Sequence, residues 1–211
     1  MNNQETKKES KKLYHGGTKI IKPEDLHFPS PRGTFDFGAG FYLAENKHIA
    51  EEWVKDKDTP VINEYNLLFN KEDSVFLENE DWLKVIVGHR RGLYSVKFTK
   101  NIVIGEIADD RLFESLADFV SPRSTIGDLR VLKMLSYCKL GLQYVLKNNA
   151  NGLQFVKSYE LKGLQLQQAQ DRHNNRKYLM QEKLVEIARS SVNGEKFVEW
   201  YLKDCENGVT F

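Results

Sequence analysis

The chain has 211 residues, 40% of them apolar and 29% charged, the make-up of a folded globular protein rather than a disordered one. Its 31 Lys and Arg nearly cancel 30 Asp and Glu, so bulk charge selects neither nucleic acid nor an acidic membrane surface as partner. No apolar run approaches the ~20 residues that cross a bilayer and the N-terminus lacks a signal-peptide core, so the expectation is a cytoplasmic protein, with no membrane partner and with Cys138 and Cys205 as reduced thiols.

Residues 1–11 are polar and carry no apolar period, which predicts a flexible tail. Lys12 to His15 reads as a first short strand. Pro23, Pro29, Pro31, Gly33, Gly38 and Gly40 make the next stretch mostly loop, and Gly40 to Leu43 a second strand. Asn46 then caps a helix whose apolar stripe is Ile49, Ala50, Trp53 and Val54. Val61 to Leu68 and Ser74 to Leu77 are strand-like. Asn79 caps a short helix with Trp82, Val85 and Ile86 facing inward. Tyr94 to Thr99 and Asn101 to Ile107 alternate as strands do. A helix follows over Asp109 to Val120, and Thr125 with Asp128 resembles a capping box opening another that Gly141 ends.

Leu142 to Leu146 and Leu153 to Leu161 complete the strands. In the former, Leu142, Tyr144 and Leu146 share one face and leave Gln143 and Val145 on the other. From Gly163 the composition turns polar and helix-prone, with a short apolar helix near Phe197, Trp200 and Tyr201 that needs the main domain or a partner protein to cover it. The expected organisation is an α+β domain over 12–162 and a helical C-terminal extension over 163–211.

Two stretches stand out for chemistry. In Leu13-Tyr14-His15-Gly16-Gly17 a histidine ends a strand and runs into two glycines. In Asp36-Phe37-Gly38-Ala39-Gly40-Phe41-Tyr42-Leu43-Ala44 a tyrosine follows a glycine-punctuated loop. Glycines there let backbone approach a flat polar ligand while an imidazole and an aromatic ring orient it. Taken singly, the histidine is an ordinary turn residue and the tyrosine an ordinary core aromatic; together they read as a site. Other chemistries lack their residues. His48 and His89 have no cysteine or carboxylate at zinc-binding spacing, so no metal is expected. No GxSxG elbow, GxxxxGK[ST] loop or strand-GxGxxG-helix fingerprint occurs.

Tyr14-His15-Gly16 followed by Gly38-Ala39-Gly40-Phe41-Tyr42-Leu43-Ala44 resembles the first two signature motifs of the ADP-ribosyltransferase superfamily, in its His-Tyr-Glu branch of diphtheria-toxin and poly-ADP-ribose polymerase type. With His89-Arg90-Arg91-Gly92, Ile102 to Arg111 and Leu142-Gln143-Tyr144, the run over about 12–162 resembles more narrowly a bacterial family of unknown function, DUF 3990, assigned to that superfamily. The resemblance implies split antiparallel sheets with flanking helices and NAD as ADP-ribose donor. It implies transfer to an unidentified protein or nucleic-acid acceptor, in a bacterial effector or toxin-like role. His15 would bind a ribose hydroxyl, Gly16 and Gly17 would give backbone access to the nicotinamide carboxamide, and Tyr42 would stack on the nicotinamide ring. Asp36 is a further cofactor-binding candidate.

At the third motif the family's glutamate is replaced by Gln143, which accepts a hydrogen bond but brings no charge to a developing cation. A charged hydrogen bond is worth roughly 1.5–3 kcal/mol against about 1 for a neutral one, so the alternative is an NAD- or ADP-ribose-binding or protein-interaction module with weak or no turnover. Asp36, Asp109, Asp110 and Glu160 are other carboxylates that could supply charge, although Asp109 also suits a helix cap. Arg32, Arg90 and Arg91 are candidates for the pyrophosphate, or else solvated surface charge. Trp53, Phe35, Phe37 and Phe41 read as packing residues.

Overall fold

The computed structural model describes residues 8–28, 35–78, 81–82, 85–86, 88–89, 96–108 and 140–190. Its strands are β1 (Lys8–Gly17), β2 (Phe41–Ala44), β3 (Val61–Asn70), β4 (Ser74–Leu77), β5 (Ile102–Glu106), β6 (Leu142–Leu146) and β7 (Leu153–Glu160). They form one seven-stranded sheet in the order β4-β5-β6-β2-β1-β3-β7. Helix α1 (Lys47–Trp53) packs on β1, and α2 (Leu164–Ser190) packs on α1. The expected mixed α+β class holds.

The expectation of separate, wholly antiparallel sheets needs correction. β4 and β5 run parallel, and the other neighbours are antiparallel. A single residue pair, Tyr14↔Ala44, joins β1 to β2 and so makes one sheet of two strand groups. Beyond it the two strands part. Helix α1, which follows β2, crosses β1 there at Gly16. A Cβ there would stand 2.3 Å from the Ala50 carbonyl oxygen and 2.9 Å from Val54 Cγ1, so only glycine admits the helix this close.

β1 also begins earlier than expected. Lys8 to Lys11, assigned to the flexible tail, are strand and pair with Asn70 to Leu67 of β3. Their side chains are too polar to signal a strand. The backbone ladder holds them, helped by the Lys11 Nζ–Glu45 Oε1 bond of 2.8 Å. Buried Glu64 on β3 receives Lys12 from β1 and Lys157 from β7 at 3.3 and 3.6 Å, one carboxylate tying three strands.

Strand side chains alternate between faces, and the core divides accordingly. Leu13, Phe41, Leu43, Tyr65, Tyr144 and Leu146 share one cluster. Ala44, Ile62 and Leu161 join α1's Ile49, Ala50 and Val54 in the other. β3 also fixes the chain that leaves β1. Asn63 accepts from the Ile21 amide and donates to the Lys19 carbonyl, both at 3.1 Å, and the Tyr65 hydroxyl donates to Ile21 O at 2.6 Å.

The helix expected after Asn46 is α1, with the Asn46 Oδ1 accepting from His48 N at 3.0 Å. Trp82, Val85 and Ile86 are helical and buried. Of the expected strand Tyr94 to Thr99, the described part holds only one bridging residue, Lys97. Phe98 stacks instead on the His89 ring, at 6.3 Å. The tail before Lys8, the helix over 109–120, the start at Thr125, Cys138, Cys205 and the Phe197–Tyr201 segment lie outside the described residues. Among the described residues no helix is long and apolar enough to cross a membrane.

α2 is held by charge as well as by Leu166 and buried Ala169. Glu51 and Glu52 of α1 are both only 6% exposed. Arg172 Nη2 meets Glu51 Oε2 at 2.5 Å, Arg176 Nη2 meets Glu52 Oε2 at 2.7 Å, and His173 Nδ1 lies 3.6 Å from the same oxygen. Removing one partner of a buried pair strands the other, at a cost of about 3 kcal/mol or more. Arg176→Met is therefore expected to lower the urea midpoint and to raise amide hydrogen exchange along the first three turns of α2. Unchanged exchange there would show that apolar packing alone docks the helix.

Candidate functional site

Where β1 and β2 part, a cavity of about 1320 Å³ opens. β1 supplies His15 and Gly16, β2 supplies Phe41 and Tyr42, the loop before β2 supplies Asp36, and β6 supplies Gln143. α1 adds Ile49, Glu52 and Trp53. Five of the six residues singled out in the sequence thus line one space. Gly17 does not. A Cβ at Gly17 would approach His15 Nε2 to 3.1 Å, so its bareness leaves room for the imidazole.

His15 Nδ1 lies 2.8 Å from the Tyr42 carbonyl oxygen. A carbonyl only accepts, so Nδ1 carries the hydrogen and Nε2 keeps its lone pair. Burial pushes the pKa of His15 down, favouring this neutral tautomer. The side chain thereby bridges β1 and β2 where their backbone ladder has ended. Phe41 lies against the imidazole, with centroids 4.5 Å apart and planes at 30°.

Tyr42 is tied into its own loop. Its hydroxyl donates to Gly38 O at 2.7 Å and accepts from Phe37 N at 2.9 Å, and its ring stands 5.2 Å from that of Phe35. Phe37 is wholly buried, as a packing residue should be, whereas Phe35, Phe41 and half-buried Trp53 also line the cavity. Gly38 has φ +71°, and a side chain there would meet the His89 ring at 2.7 Å.

Gln143 is 2% exposed and faces away from the Tyr144–Leu146 cluster, as strand alternation predicts. Its Nε2 donates to Asp36 Oδ2 at 2.8 Å and to Glu106 O at 3.2 Å. Asp36, 7% exposed, also accepts from Ala108 N at 3.3 Å. The Glu106 carbonyl accepts from Trp82 Nε1 as well, at 2.7 Å. The alternative carboxylate Glu160 ends β7, pairs with Lys162 at 2.9 Å and does not line the cavity. Arg32, Arg90, Arg91, Asp109 and Asp110 lie outside the described residues.

Sequence reading missed Glu52, His173 and Arg176, which close one side of the cavity. The signal was there: adjacent carboxylates at 51–52 match cations one helical turn apart at 172 and 176.

It also missed Lys147, whose Nζ donates to Phe37 O at 2.7 Å and to Ala39 O and lies 5.1 Å from the Phe98 ring centroid. This cation ties the carbonyls of the loop that carries Asp36 and Tyr42. Burial lowers its pKa to about 8. Burial, and secondarily the Lys147 charge, lower that of His89 to about 4. With a folded pKa below the usual 6.5, His89 binds its proton less readily in the folded chain than in the unfolded one, so its contribution to stability falls as the pH drops from 6.5 towards 4. Denaturation midpoints taken across that window are expected to decline less in His89→Gln than in the wild type. Parallel curves would remove His89 as the cause.

The Protein of unknown function (DUF3990) family matches residues 11–157. No curated protein and no solved structure matches the chain. The match spans the whole cavity framework from β1 nearly to the end of β7 and stops short of α2. By that extent of its sequence the chain belongs to the DUF3990 family.

Proposed function

We propose that this protein is an NAD-dependent ADP-ribosyltransferase, acting on a macromolecule in a bacterial effector or toxin-like role. The observation that carries the reading is the convergence of His15, Tyr42 and Gln143, from three strands, on one cavity at the fork of the sheet. Its volume of about 1320 Å³ exceeds the roughly 300–1,000 Å³ of drug-sized pockets, which suits an extended dinucleotide.

The roles follow from the chemistry of each group. The neutral His15 Nε2 accepts a hydrogen bond from a ribose hydroxyl. Tyr42, its hydroxyl committed to the loop, offers an aromatic ring to the nicotinamide, a contact worth roughly 0.5–1.5 kcal/mol beyond burial. Gln143 accepts from a hydroxyl of the nicotinamide ribose. In the reaction the bond between C1′ and the nicotinamide nitrogen breaks with its electron pair leaving on nicotinamide. The acceptor's nucleophile bonds to C1′ and gives up its proton.

A second reading is favoured by one observation, the uncharged Gln143 where a carboxylate would steady the developing cation. It is an NAD- or ADP-ribose-binding module without turnover.

Incubation with NAD and assay of free nicotinamide tests both. The first reading expects release. It expects Gln143→Ala to slow release about tenfold with a smaller change in NAD affinity, and His15→Ala to weaken binding by about 1 kcal/mol, roughly fivefold. Identical release by the wild type and both variants would overturn these roles. A thermal shift with NAD but no nicotinamide supports the module, since saturation to 100 times Kd adds about 2.7 kcal/mol of stability. Because burial pushes the pKa of His15 down, the neutral imidazole is favoured, and NAD affinity is expected to show no inflection at the ordinary histidine value of pH 6.5. An inflection there that disappears in His15→Ala would show that the imidazole titrates.

A further inference from the structure

We infer that Asp36 is a positioning residue that turns Gln143 into a one-way hydrogen-bond acceptor, so that the cavity selects a ligand with a hydroxyl donor at that point. The inference rests on the proposal that the cavity takes NAD, and it names what that site demands of the ligand.

A carboxamide is ambiguous by itself. One end donates, the other accepts, and a half-turn about the last side-chain bond exchanges them at little cost in shape. In this protein the ambiguity is removed from behind. Asp36 Oδ2 lies 2.8 Å from Gln143 Nε2 and the Glu106 carbonyl oxygen 3.2 Å from it. Asp36 Oδ2, which also takes the Ala108 amide hydrogen, and the backbone carbonyl both act as acceptors here. Both hydrogens of the amide nitrogen are therefore spent, and a flipped Gln143 would set its oxygen against two other oxygens. With Gln143 2% and Asp36 7% exposed, such a clash has little water to relieve it. Oε1 is left as the atom of Gln143 that can meet a ligand, and it can only accept.

Two features make this a built arrangement. The partners are 107 residues apart in sequence and are brought together by the loop that also carries Tyr42. That loop is held by the Lys147 amine on Phe37 O and Ala39 O, and Asp36 is further anchored by the Ala108 amide at 3.3 Å. A free glutamine could turn to suit a donor or an acceptor, whereas this one is held to a single orientation. A ligand presenting a ribose hydroxyl satisfies it, and the same ligand with hydrogen in place of that hydroxyl leaves a buried acceptor unmet.

The experiment has two arms on the full chain. Calorimetry compares NAD with the analogue lacking the 2′-hydroxyl of its nicotinamide ribose, in the wild type and in Asp36→Asn. Asparagine keeps the size of aspartate and can still accept, but it can also donate, so it permits both orientations of Gln143. The wild type is expected to prefer NAD on the order of 100-fold and Asp36→Asn by about tenfold or less, with the thermal midpoint little moved. An unchanged preference in the variant overturns the inference, as does a wild type that binds both dinucleotides equally. A merely structural Asp36 would weaken both ligands together and leave their ratio alone.

The second arm needs no NAD. In a ¹⁵N spectrum of the ligand-free wild type, the Gln143 side-chain amide, assigned by its disappearance in Gln143→Glu, is expected downfield and slow to exchange with water. Exchange as fast as that of exposed glutamines overturns the inference. If the amide is protected but neither dinucleotide binds, the fixed orientation stands and the NAD proposal falls.

Discussion

A sheet that nearly comes apart is the constraint on which the site depends. β1 and β2 share one residue pair, Tyr14↔Ala44, and beyond it no backbone ladder links them. Unpaired backbone is costly when buried and acceptable where side chains or a ligand meet it. The gap is therefore a natural place for a cavity. The His15 side chain spans it, bonded to the Tyr42 carbonyl, and Gly16 lets α1 lie against its edge. The same fork explains why residues on opposite faces of a continuous sheet reach one space. His15 contacts Phe41 in one core cluster, while Gln143 faces the side covered by α1, and both line the cavity.

The walls of this cavity contain more charge and hydrogen bonding than an apolar pocket needs. Buried Asp36 is met by an amide side chain and a backbone amide, and buried Glu52 by Arg176 and His173. Lys147 is enclosed behind the loop with carbonyls as acceptors. Buried ionic groups are a weak source of net stability but a strong source of definition, because each tolerates few alternative arrangements. Asp36 and Lys147 thereby anchor the loop between Phe35 and Gly40, alongside wholly buried Phe37.

What was legible in the sequence follows the range of the interactions involved. Alternation on β6 placed Gln143 opposite Tyr144, and the Asn46 cap with its apolar stripe gave α1, because these signals are local. The motif at His15 and the loop ending at Tyr42 were recognisable as halves of a site, and they do share a cavity. Three things were not legible. Lys8 to Lys11 form strand through backbone pairing that their polar side chains do not advertise. The single pair that merges two strand groups depends on register between segments 30 residues apart, to which the pattern of either segment is blind. The partnership of Asp36 with Gln143 is tertiary, and nothing near either residue in sequence announces it.

The span of the family match has a consequence for how this cavity is divided. Its floor comes from strands and a short helix inside residues 11–157, while His173 and Arg176 come from α2, which begins at Leu164. The chamber thus has a shared foundation and an added shutter, joined both by charge complementarity between neighbouring helices and by the apolar packing of Leu166 and buried Ala169. Altering the shutter would re-dimension the entrance while leaving the ligand-facing atoms of the fork where they stand.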